Sequence, residues 1–153
     1  MKTAGDILKK KGRNMIWVGA DTTIHQALNV MVENKIGAVL VKEDDAIIGI
    51  WTERDLMRNV ISRGFDPLTA KIKDYMVTGL HSVSHTDSIF ILLDKFLELR
   101  LRHLLVEKNR EYIGMLSRGD VIKAILIEKI LEFKELRTVM MSESPDRWRW
   151  DRP

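Results

Sequence analysis

Thr52-Glu53-Arg54-Asp55 and Ser117-Arg118-Gly119-Asp120 each set a hydroxyl and a carboxylate three residues apart. At a helix start this pattern is a capping box, in which the hydroxyl accepts from a free backbone N–H and the acidic residue reaches back to the cap. The same groups have a second use. A carboxylate accepts from both hydroxyls of a ribose diol, a Thr or Ser hydroxyl joins that network, and the N–H groups at a helix N-terminus favour an anion. Ribose plus phosphate is the guest they suit. Each set follows an apolar run with a central glycine, Gly49 in "IIGIWT" and Gly114 in "YIGMLS", where the missing Cβ leaves room for another backbone or a flat ligand. On this reading Val18, Ile36, Val83 and Leu101 flank a base. Arg54, Arg58, Arg100, Arg102, His103 and Arg118 are the candidates to meet phosphates.

The elements that must position these groups are written twice. Subtracting Gly49 from Gly114, or Asp55 from Asp120, gives 65, and at that offset Val18 aligns with Val83, Ile24 with Ile89, Leu28 with Leu93 and Val41 with Val106. Self-similarity at fixed spacing marks a duplicated supersecondary unit. In the first copy "ADTTIHQALNVMVENK" reads as a helix capped by Asp21 or Thr22, with Ile24, Ala27, Leu28 and Met31 on one stripe. "IGAVLVK" and "AIIGIWT" read as a hairpin across the polar turn Glu43-Asp44-Asp45, followed by a helix that ends by Gly64. The second copy gives a strand near "HSVSH", a helix from Ser88 to about Arg100, strands "LRHLLVE" and "EYIGMLS", and a helix from Asp120.

The fold class is therefore α/β (α+β), β-α-β-β-α twice over with small mixed sheets related by a pseudo-twofold axis. Repeat one spans residues 3–65, repeat two 70–130, and an extension 131–153. "TAGDILK" and "AKIKDYM" are lead-ins to the two repeats. From Asp120 to about Met140 the last helix is twice the length of its counterpart and carries more apolar surface than one short sheet covers, which points to a homo-oligomer contact. The tail beyond it is polar, with Trp148 and Trp150. Trp17 and Trp51 read as packing residues.

Composition excludes several classes. At 153 residues the chain suits one domain-sized core, and with no cysteine it has no disulfide or thiolate chemistry, so a reducing cytoplasm is expected. No apolar window spans a bilayer, and a net charge of +3 with interleaved signs lacks the basic, aromatic-bearing stripe of a nucleic-acid binder. His81 and His85 alternate as on a strand and find no third metal ligand in sequence. No phosphate-binding glycine loop, dinucleotide fingerprint or nucleophile-base set is present, so no enzyme activity is expected.

Taken together, "GIWTERD", "GMLSRGD", "IKDYMV", "VSHTDSI" and "RHLLV" resemble a tandem cystathionine-β-synthase (CBS) domain pair, or Bateman module, over about residues 3 to 130. The resemblance implies two clefts between the repeats for adenosine-containing ligands, with ribose held by Thr52 and Asp55 and by Ser117 and Asp120. It also implies a flat homodimer and a sensor of AMP, ADP, ATP or NAD, with S-adenosylmethionine behind them, that needs no cofactor and acts on a regulated protein partner. The alternative is a scaffold with vestigial clefts. Arg100, Arg102 and His103 stand where repeat one has Lys35, Gly37 and Ala38, so the two clefts are expected to be unequal.

Overall fold

The structure is a computed structural model that describes residues 1–143; the tail with Trp148 and Trp150 lies outside the described residues. Helix α1 (Ala4–Lys11) precedes strand β1 (Trp17–Gly19), helix α2 (Ile24–Asn34), strands β2 (Ala38–Glu43) and β3 (Ala46–Thr52) and helix α3 (Glu53–Val60). After a 3-10 turn at Ile72–Asp74 come β4 (Ser82–Ser84), α4 (Ile89–Glu98), β5 (His103–Lys108), β6 (Glu111–Ser117) and α5 (Arg118–Glu143). Each repeat forms its own three-stranded mixed sheet, β1-β2-β3 and β4-β5-β6, with the first pair parallel and the second antiparallel. The 65-residue register holds to the level of pairing: Val41 faces Gly49, Val106 faces Gly114, and each ladder slips at the next residue.

Local chemistry accounts for the elements. Both hairpins turn on two residues in left-handed backbone, Asp44 and Asp45 at φ 47° and 62°, and Asn109 and Arg110 at 52° and 66°. Positive φ at both central positions matches the twist of the flanking strands, and Asp and Asn tolerate it best among non-glycine residues. Helix α2 is capped by Thr23, whose Oγ1 accepts from the Gln26 N–H while Gln26 reaches back. The sequence reading placed that cap at Asp21 or Thr22; Asp21 instead pairs with Lys73 at 2.7 Å. Trp51 packs as expected, fully buried with Nε1 donating to Asn59 Oδ1 at 2.9 Å. Trp17 does not: it is 49% exposed, with the Lys42 ammonium 4.7 Å from its ring centroid, a cation–π contact at the surface.

In place of one core the chain builds two, and each lead-in crosses to the other repeat. Ala4 and Ile7 of α1 are buried with Val83, Ile89, Phe96 and Leu116 of the second unit. Ile72, 65 residues after Ile7, is buried with Val18, Ile24, Val41 and Trp51 of the first. Backbone bonds tie the crossings: Ala4 N–H to Asp87 O at 2.9 Å and Gly5 N–H to His85 O at 2.8 Å on one side, Ile72 N–H to Thr22 O at 2.8 Å on the other. The exchange also explains the mid-strand glycines. A Cβ on Gly49 meets the Met76 side chain, and one on Gly114 meets Leu8. The room that the sequence suggested for a backbone or a ligand is filled by side chains of the crossing segments.

Candidate functional site

Both capping boxes form. Thr52 Oγ1 accepts from the Asp55 N–H at 3.3 Å, and Asp55 Oδ2 accepts from the Thr52 N–H and hydroxyl, each at 2.9 Å. Ser117 Oγ accepts from the Asp120 N–H at 3.2 Å, and Asp120 Oδ2 accepts from the Ser117 N–H at 2.8 Å. The residue after each hydroxyl anchors the helix start to the residue just before a strand: Glu53 N–H donates to Gly37 O and Arg118 N–H to Arg102 O, both at 3.0 Å.

The two carboxylates differ in their surroundings. Asp55 is 8% exposed and buried in the frame of its own cap, with Arg58 Nη1 3.9 Å from Oδ1. Asp120 is half-buried and faces Lys11, the last residue of α1, whose Nζ donates to Asp120 Oδ2 at 2.8 Å and to Met115 O at 3.1 Å. Burial pushes the Asp120 carboxyl up, but the Lys11 ammonium and the Ser117 N–H and hydroxyl outweigh it and hold the group below the ordinary carboxylate value. At the 65-residue offset Lys11 corresponds to Met76, so the first repeat has no cation in this place.

Asp120 opens on a cavity of ≈ 590 Å³, within the usual size of a small-molecule site. The second repeat contributes Ser117, Asp120, Met115 and His103, and the first contributes Ile16, Ile36, Gly37 and Ala38. Gly37 and Ala38 give the first repeat's wall little side-chain bulk; their counterparts, Arg102 and His103, are larger. The rim is basic. Lys2, Lys10, Lys11, Arg13, Lys35 and Lys123 set six cations against Asp6 and Asp120, so the cavity favours an anion.

The residues expected at the site divide accordingly. Ser117, Asp120, Ile36 and His103 line the cavity; Thr52 and Asp55 do not. Val18 and Val83 are buried, one in each core, and Leu101 packs against the second core. Arg54, Arg58, Arg100, Arg102 and Arg118 are exposed and stand outside the cavity lining. Three of the six cations that line it, Lys10, Lys11 and Arg13, come from the end of α1 and the segment after it, just past the lead-in "TAGDILK"; the signal there is the basic run Lys9–Arg13 broken by Gly12. Among the described residues no three His, Cys, Asp or Glu side chains gather as a metal site, and no helix is long and apolar enough to cross a membrane.

His103 stands between the two units. Burial lowers its pKa from 6.5, Lys11 and Arg102 lower it further, and Asp120 and Glu53 oppose them only in part. As pH falls, the unfolded chain takes up this proton before the folded one does. Stability from this group is therefore complete above the ordinary imidazole value and is lost as pH falls toward the folded value. The thermal midpoint is expected to fall between about pH 8 and about pH 5, and His103→Gln to flatten that fall in melts across the range.

Two copies of one sheet-and-helix unit form a paired module with a small-molecule-sized cleft walled by both. The CBS domain family model matches residues 4–62 and again 72–127, and the chain belongs to that family. A mitochondrial CBS domain-containing protein of Arabidopsis thaliana is 32% identical over 143 residues, 88% of this chain and 69% of its own. A CBS-domain-containing protein from Agrobacterium tumefaciens superposes with a TM-score of 0.75 at 35% identity, covering 80% of this chain and 98% of that one. A CBS domain protein from Pyrobaculum aerophilum, solved with AMP, superposes with a TM-score of 0.71 at 25% identity, covering 82% and 96%. CBS pairs of this kind, some with AMP bound, fit a regulatory nucleotide-sensing module. One relative is mitochondrial, so membership does not carry the cytoplasmic expectation.

Proposed function

We propose that the chain is a non-catalytic sensor that binds an adenine nucleotide, AMP, ADP, ATP or NAD, in the cleft beside Ser117 and Asp120 and passes its occupancy to a protein partner through a homodimer. One observation carries the reading: a ligand-sized cavity, walled by both repeats, holds a carboxylate beside a hydroxyl among an excess of cations. On this reading Asp120 Oδ1 and the Ser117 hydroxyl meet ribose. Lys10, Arg13, Lys35 and Lys123 answer phosphate charge, and Ile16 and Ile36 offer apolar contact to a base. Lys11 already occupies Asp120 Oδ2, so an entering ribose shares or displaces that ammonium. A ligand touching both repeats shifts their relative orientation only by its differential affinity for the two arrangements.

Calorimetric titration of AMP, ADP, ATP and NAD, with 2′-deoxy-AMP as the control, tests the reading. Binding of at least one nucleotide, weakened when the 2′-hydroxyl is missing, is expected. Absence of heat with all four at millimolar concentration refutes the sensor and leaves the carboxylates as helix caps.

A further inference from the structure

The outward face of α5 carries a pattern that the nucleotide cleft does not use. The helix is described to Glu143 and the second family match ends at residue 127, so 143 minus 127 leaves 16 described residues of it beyond the match. Val121 and Ala124 face the second core and Ile125 packs on it. Away from that core stand Ile122, Leu126, Lys129, Phe133, Leu136 and Met140, spaced 4, 3, 4, 3 and 4 residues apart. At 3.6 residues per turn these six fall in one arc of about 80°. The apolar five are 44, 56, 69, 61 and 54% exposed. Alternating spacings of four and three are those of a coiled-coil seam; Ile130, Leu131, Val139 and Met141 are exposed too but lie off this spacing.

We propose that this face joins two copies of the chain in a parallel, in-register, two-stranded coiled coil along α5. Flanking residues select the occupant and the direction. With Leu126, Phe133 and Met140 at a and Ile122, Lys129 and Leu136 at d, Glu132 falls at g and Arg137 at e. In a parallel pair each g residue faces the e residue five places on in the other helix. Glu132 then meets the other copy's Arg137, twice by symmetry. An antiparallel pair sets e against e, where Arg137 finds only Lys123, Ile130 or another Arg137. Lys129 is the single charged residue in the seam, and its own Glu132 lies 2.8 Å away. One polar residue in a seam fixes register at some cost in stability.

The inference gives the interface of the homodimer proposed above and does not depend on nucleotide binding. Because the chain has no cysteine, one introduced thiol reports one contact. In an in-register pair every d residue meets its own copy, so Leu136→Cys is expected to give a disulfide-linked dimer on mild oxidation, while Leu131→Cys, turned away from the seam, stays unlinked. In sedimentation equilibrium Glu132→Arg is expected to weaken the dimer by at least about tenfold, and adding Arg137→Glu to restore it. A monomeric wild type, a dimer in which Leu136→Cys does not link, equal linking by Leu131→Cys, or a double variant no better than the single one each overturns the proposal.

Discussion

Asp120→Ala is expected to weaken adenosine binding by roughly 10- to 150-fold, the ~1.5–3 kcal/mol that a hydrogen bond to a charged group contributes. Asp55→Ala is expected to leave that binding unchanged. The two carboxylates hold the same place in the two repeats and make the same cap, yet only Asp120 faces the cavity. For AMP the loss on removing Asp120 is smaller, because Lys11, released from its 2.8 Å contact, is free to meet phosphate. Asp55→Ala acts instead on stability. It leaves the Thr52 N–H and hydroxyl without their acceptor in a buried frame, a loss of about 1–3 kcal/mol. Calorimetry with adenosine and AMP, beside thermal melts of both variants, separates the effects. Equal loss of binding in the two variants contradicts the inequality of the clefts.

Ile72→Ala is expected to cost about 2–5 kcal/mol, the range for emptying a buried isoleucine site, and the damage is expected in the opposite repeat. Ile72 belongs by sequence to the lead-in of repeat two, but its side chain is fully buried among Val18, Ile24 and Trp51. Hydrogen exchange on the variant is expected to show faster exchange in β1–β3 than in β4–β6, and Ile7→Ala to show the reverse. Uniform loss in both sheets contradicts the exchange of lead-ins. The same crossing gives each repeat a mechanical hold on the other, since a shift of α1 moves both the second core and Lys11 at the cleft.

Much of this was legible in the sequence because the signals are local. Alternating apolar runs give the strands, hydroxyl and acidic residues at three-residue spacing give the caps, and the 65-residue offset shows that they recur. The partner of each lead-in was not legible: Ile7 and Ile72 are apolar whichever sheet they join, and only long-range packing chooses. For the same reason Gly49 and Gly114 suggested a ligand where Met76 and Leu8 lie. Of the cavity lining, Ser117, Asp120, Ile36 and His103 are legible from residue type and spacing, while the like pair Thr52 and Asp55 lies elsewhere. Of the phosphate candidates that residue type suggests, Arg54, Arg58, Arg100, Arg102, His103 and Arg118, only His103 lines the cavity, whereas α1 and the segment after it bring Lys10, Lys11 and Arg13 there from the far end of the chain.

The central claim is that an adenine nucleotide sits in the cleft beside Ser117 and Asp120, and the crystal structure of the chain grown with AMP tests it most directly. The account predicts AMP in that cavity, with ribose hydroxyls on the Asp120 carboxylate, Lys11 turned from Asp120 toward the phosphate, and Asp55 still closed in its cap. AMP bound at Asp55 with the cavity empty contradicts it.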